Sequence, residues 1–193
     1  MTRRFLSPVL LLALMATGAE AHTGIGTAPG FVHGFAHPFS GLDHILAMVA
    51  VGLFAANLGG RALWRVPGAF LAMMAAGGVA GLYGVTWPFV EIAIALSVIV
   101  LGAAAALQWK TPVAAAMVLA GFFAIFHGHA HGFEVPTFAS PMGYATGFML
   151  ATAALHALGM GLGFGAAQVS RRVAQIGGGA MTLAGVGILS GIL

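Results

Sequence analysis

The chain contains no cysteine, so disulfides, thiolate metal centres and thiol redox chemistry are all excluded. Charge is almost as scarce. Only 6% of residues are charged, four acidic and seven basic, against roughly 25% in a soluble domain. A soluble fold is excluded on that ground. No G-x-x-x-x-G-K-[ST] run is present, which removes the phosphate cradle of an ATP-driven pump. The isoelectric point near 10.2 reflects a few bases against fewer acids and carries no implication of nucleic-acid binding. What remains is apolar: 60% hydrophobic residues, with a mean hydropathy of +1.02. Thirty glycines lie inside the apolar runs, where small residues let membrane helices approach closely. The expected fold is all-α, a polytopic membrane protein.

Residues 1–21 read as a cleaved signal peptide. Arg3 and Arg4 form its positive start, Phe5 to Thr17 its apolar stretch, and Ala19-Glu20-Ala21 the A-x-A cleavage pattern. An uncleaved first helix is the alternative. Residues 22–193 are then a single transmembrane domain, expected to be a six-helix bundle. Its apolar runs fall at roughly 31–57, 66–85, 89–108, 112–130, 141–166 and 172–192, each near the ~20 residues that cross a bilayer core. Pro38 interrupts the first run, so a short outer segment is expected before a main span that starts near Gly41. The remaining bases, Arg61, Arg65, Lys110, Arg171 and Arg172, fall in the first, third and fifth loops. By the positive-inside rule those loops face the cytoplasm. Both mature termini then face the periplasm, and the bilayer is the bacterial inner membrane. Asp43, Glu91 and Glu134 all fall in the outer half. A cation arriving from outside meets carboxylates and no competing positive charge.

Six of the eight histidines form two clusters, one holding His33, His37 and His44 and the other His127, His129 and His131. Ionisable groups at membrane depth are costly and point to function by default. Imidazole with carboxylate is also a ligand set for divalent transition metals. At about 100° per residue, His127, His131 and Glu134 fall within about 60° of one another, while His129 points elsewhere. His37 and His44 would share a face if their helix were continuous. The candidate metal ligands are therefore His37, Asp43, His44, His127, His129, His131 and Glu134. His33, Glu91, His156 and His22 are further candidates for the ligand set or the pathway. Nitrogen and oxygen donors without thiolates favour Ni(II), Co(II) or Zn(II) over Cu(I).

Each element has another reading. The His127–His131 run could be a solvated outer loop, and Asp43 with His44 a structural pair that pins the first span. His156, in Ala-Leu-His-Ala-Leu, could be a helix–helix hydrogen-bonding partner, and His22 could be incidental. Met73, Met74 and Met160 read as packing. Gly77/Gly81 and Gly187/Gly191 read as small-xxx-small contacts. A membrane-embedded metalloenzyme with a metal-activated water is the competing functional class. Against it, the ligands are spread along a path, and no serine sits beside either cluster except Ser40. An accessory role without transport is a third class.

The stretch HPFSGLDHILAMVAVG, from His37 to Gly52, resembles the N-terminal signature of the hydrogenase/urease accessory permeases, the HupE/UreJ family. FHGHAHGFE, from Phe126 to Glu134, resembles that family's second motif, and the layout and length agree along essentially the whole chain. The resemblance implies a permease rather than an enzyme, with no prosthetic group. Its cargo would be Ni(II), or Co(II) as in some members, and its implied partners are hydrogenase or urease maturation proteins. The implied motif residues are His37, Asp43 and His44, with His127, His129, His131 and Glu134. The larger nickel/cobalt permeases carry a His-Asp-His element with four residues between the first His and the Asp. Five separate His37 from Asp43, so their ligand geometry does not carry over.

Overall fold

The computed structural model describes residues 27–137 and 139–193, and among these every regular element is helical. The expected signal peptide and His22 lie outside the described residues. The first apolar run is composite, as Pro38 dictates. Helix α1 (Thr27–Ala36) leads into a 3₁₀ turn (His37–Phe39), and α2 (Leu42–Leu58) follows. The helical stretch Gly30–Phe39 meets Leu42–Leu58 at 81°. Next come α3 (Ala62–Leu82), α4 (Val90–Ala106), α5 (Val113–Phe133), α6 (Pro141–Val169) and α7 (Arg171–Leu189). Helices α3, α5, α6 and α7 are each long and apolar enough to cross a membrane, the bent pair would make a fifth span, and α4 is shorter at 17 residues. One boundary matters for function. Helix α5 runs to Phe133, beyond the expected limit near 130, so the whole His127–His131 run is helical.

The core is centred on α2. Every residue from Ala47 to Ala55 is buried, the signature of a helix surrounded by other helices. It packs on α6, α4 and α3, while α3 pairs with α5 and α4 with α7 along the flanks. Glycine sets the closeness of the α3–α5 pair. A Cβ at Gly128 would collide with the Met74 carbonyl, one at Gly132 with the Gly78 carbonyl, and one at Gly77 with the Ile125 carbonyl. The two backbones touch, as the Gly77/Gly81 spacing leads one to expect. The Gly187/Gly191 expectation fails. Gly191 lies beyond the end of α7 at φ 72°, and the nearest side chain to Gly187 is Leu193, so these glycines end a helix rather than join two.

The bundle is polarised. Asp43, in the first turn of α2, and Glu134, which caps the C-terminus of α5, lie together at one end. At the other end Lys110 Nζ donates to the Asn57 main-chain carbonyl and to its Oδ1, the latter at 3.2 Å. Lys110 and Arg171 line a cavity of about 220 Å³ there, with Asn57 and Gln108.

Candidate metal centre

Helix α5 presents two faces at its C-terminal end. Gly128 and Gly132 lie flat against α3, while His127, His131 and Glu134 follow at i, i+4 and i+7 on a second face, as the helical period requires. That face looks onto the broken first span. The 81° bend carries His37, in the turn, and His44, in the first turn of α2, to the same α5 end. The two do not share one continuous helix face. The bend does what continuity was expected to do.

Two overlapping donor groups result. In the outer one, His37 Nε2 lies 3.1 Å from Glu134 Oε2, and His131 Nδ1 lies 3.5 Å from the same oxygen. One ligand atom from each of His37, His131 and Glu134 falls within 4.8 Å of the others. The imidazoles then continue inward. The ring of His131 lies 4.8 Å from that of His37 and 4.3 Å from that of His44, and His44 lies 5.0 Å from His127. His131 thus belongs to both groups. His127 is fully buried and His131 is 5% exposed.

The local chemistry suits a cation. His44 Nδ1 donates to Asp43 Oδ1 at 2.8 Å, which leaves His44 Nε2 buried and without a partner. Asp43 therefore orients and polarises an imidazole, the usual outer partner of a metal-ligating histidine. Both ring nitrogens of His131 and Nδ1 of His127 are likewise buried and unpartnered. Buried polar atoms are normally satisfied, so this many orphans around one point mark a place shaped for a missing partner. Glu134 adds a second sign. It stands at the negative end of the α5 dipole, where a carboxylate is disfavoured and a cation is favoured. The imidazoles of His131 and His37 hold its carboxyl below the usual carboxylate range.

The other candidates separate from this centre. His129 turns away, stacking on Trp87 at 4.5 Å and donating from Nε2 to the Val85 carbonyl. It clamps the loop that precedes α4. His156 Nδ1 donates to the Met48 carbonyl at 2.8 Å, joining α6 to α2 as the helix–helix reading anticipates. The T-shaped contact of His156 with Phe70, at 5.0 Å, places it deeper in the bundle. His33 is exposed at the rim, its ring 6.2 Å from His37. Glu91 is exposed in the first turn of α4 and makes no hydrogen bond or ion pair among the described residues. The solvated-loop reading of the His127–His131 run is overturned, since all three of its histidines are buried in α5.

Sequence reasoning missed the residues that wall and orient the site. Phe148 packs on His131 at 4.1 Å, and Tyr144 lies 5.7 Å from His37. No serine other than Ser40 adjoins a cluster in the sequence, but the fold brings a second one to His127. Ser97 Oγ lies 2.9 Å from His127 Nε2 across 30 residues of chain. A single serine in an apolar helix carries no such signal, because it satisfies its own hydroxyl on a preceding carbonyl.

The chain matches the family described as HupE / UreJ protein over residues 10–188. It is 50% identical over 184 residues to Protein HupE of Rhizobium leguminosarum bv. viciae, an alignment that covers 93% of this chain and 95% of the relative. No solved structure matches it.

Proposed function

The chain belongs to the HupE/UreJ family, and on that premise we propose that it carries Ni(II) from the outer side of the membrane into the cytoplasm. The family comprises hydrogenase/urease accessory nickel/cobalt transporters and not enzymes, which sets aside the metalloenzyme alternative. Co(II) is the second cargo, as the donor set suits both ions.

One observation supports this reading above the rest. His37 and Glu134, 97 residues apart, meet with His131 so that three ligand atoms lie within 4.8 Å. The two sequence motifs become one centre at the acidic end of an apolar bundle. The metal is captured there by His37, His131 and Glu134, then passes inward to His44 and His127. With no G-x-x-x-x-G-K-[ST] run in the sequence, movement is taken to follow the metal gradient or to be coupled to another ion or a partner. His156, deeper in the bundle, lies on the onward path, while His33 and Glu91 sit at the rim and shape the approaching field.

In this reading residues 1–21 are a signal peptide and residues 22–193 one domain of six spans in the inner membrane. The bent pair α1–α2 counts as one span. Helix α4, at 17 residues, is about 26 Å long at a rise of 1.5 Å per residue, close to a ~30 Å core. The basic end carrying Lys110 and Arg171 faces the cytoplasm, both mature termini face the periplasm, and the delivered nickel serves hydrogenase or urease maturation proteins. The test is metal uptake into proteoliposomes containing only this protein, comparing Ni, Co, Zn and Mn. Saturable nickel uptake, with cobalt second, is expected. Equal uptake of all four, or none above protein-free vesicles, would refute the proposal.

A further inference from the structure

Ser97 is fully buried in α4 and holds two hydrogen-bond contacts. Its Oγ donates to the Ile94 carbonyl at 2.6 Å and also lies 2.9 Å from His127 Nε2. A hydroxyl has one hydrogen. With that hydrogen committed to the Ile94 carbonyl, Oγ can only accept from the imidazole, so His127 must carry its proton on Nε2. The lone pair then sits on Nδ1, the atom that is buried and unpartnered. His44 is set in the complementary way. Its Nδ1–H donates to Asp43 Oδ1, and the lone pair is left on Nε2, again buried and unpartnered. The rings of His44 and His127 meet edge to face at 5.0 Å, with His131 4.3 Å from His44.

We propose that Ser97 is a positioning residue that locks His127 in the Nε2–H tautomer, and so presents His127 Nδ1 as the inner ligand that receives the metal from His44 and His131. The inference rests on the transport reading for its purpose, and on the hydroxyl's hydrogen count for its chemistry. A hydrogen bond at one ring nitrogen decides which nitrogen is free to bind metal. Ser97 makes no hydrogen bond to His37, His131 or Glu134, so outer capture should not depend on it. Transfer inward should.

The experiment uses the full chain, with wild type, Ser97→Ala and Ser97→Thr compared in three measurements. The first is ¹⁵N NMR of histidine-labelled, metal-free protein, with His127→Gln identifying the His127 signals. Wild type and Ser97→Thr should show the Nε2–H form of His127, and Ser97→Ala a mixture or the Nδ1–H form. The second is equilibrium nickel binding, expected to stay within about twofold in all three, since the outer donors are untouched. The third is nickel uptake into proteoliposomes, expected to fall about tenfold in Ser97→Ala, as loss of an outer partner to a metal-ligating histidine does, and to be largely restored in Ser97→Thr. An Nδ1–H tautomer of His127 in the wild type overturns the proposal without reference to transport or to the Ser97 variants. So does unchanged uptake by Ser97→Ala, or equal loss in Ala and Thr variants that both keep their folded form. Wild-type protein that moves no nickel at all would sink the transport reading instead, while the tautomer measurement would still judge the lock.

Discussion

Replacing His131 with leucine should make the metal-free protein more stable while removing its function. Both ring nitrogens of His131 are buried without a hydrogen-bond partner, and a buried polar group left unsatisfied costs about 1–3 kcal/mol. Leucine keeps most of the volume, brings no polar atom, and packs onto Phe148, whose ring lies 4.1 Å from the imidazole. Glu134 loses one partner but keeps His37 at 3.1 Å and stays open to water. The expected gain in metal-free stability is therefore about 1–3 kcal/mol. Nickel reverses the order. A ligand at 100 times its Kd stabilises the folded state by about 2.7 kcal/mol, and at 1,000 times by about 4.1 kcal/mol. Wild type gains this stabilisation, while His131→Leu, lacking the imidazole shared by both donor groups, gains none. Thermal unfolding of the full chain in detergent, scanned against nickel concentration, should show the two curves crossing. A variant less stable than wild type without metal, or stabilised by nickel as wild type is, would refute the account of these orphan nitrogens as a cation site.

Acidification separates the imidazoles from Glu134. The neighbouring imidazoles of His131 and His37 lower the Glu134 pKa from its usual value of 4.5, so its contribution to folding is present above that value and is lost only as pH falls below it. Between about pH 7.5 and pH 5 Glu134 stays ionised, so a fall in nickel affinity on acidification is expected from the histidines, because imidazolium binds no metal. Initial uptake rates at several external pH values, with internal pH clamped, read this directly. A flat affinity across that range would refute that expectation. For His129, a change to Phe keeps the stack on Trp87 and loses only the bond to the Val85 carbonyl, so uptake should stay within about threefold and stability should drop about 1 kcal/mol. Uptake abolished in folded His129→Phe would return that residue to the ligand set. Gly128→Ala drives a Cβ into the Met74 carbonyl, and overpacking of this kind costs about 1–3 kcal/mol. Melting temperature and uptake should both fall, whereas Gly68→Ala, which meets nothing within 4 Å, should leave both unchanged.

Much of this centre is legible in the sequence because its parts are local. The i, i+4, i+7 spacing of His127, His131 and Glu134 survives wherever α5 goes, and the same wheel turns His129 aside. Pro38 announces the break between α1 and α2, although neither the 81° angle nor its effect follows from proline chemistry. The angle is set by α1 lying on α6, where a Cβ at Gly34 would strike the Tyr144 carbonyl and one at Gly147 the Phe31 carbonyl. That packing is what brings His37 to Glu134. Ser97 was illegible for a related reason. Its partner lies 30 residues away, and its own helix supplies the bond that a lone serine needs.

The centre can exist inside an apolar bundle because what it costs is offset elsewhere in the fold. Unpaired imidazole nitrogens and a carboxylate at a helix C-terminus all work against folding, and they are concentrated around one bend. The opposing stabilisation lies elsewhere, in the all-round burial of α2 from Ala47 to Ala55 and in the backbone contact of α3 with α5. Because Gly128 and Gly132 alternate with His127 and His131 along α5, the helix that carries the donors is also the one held most closely by its neighbour. The imidazoles of His44, His127 and His131 are thereby fixed in place without hydrogen bonds to one another, which leaves lone pairs free for a cation. A hydrogen-bond partner at His131 would strengthen the empty protein and weaken its hold on metal.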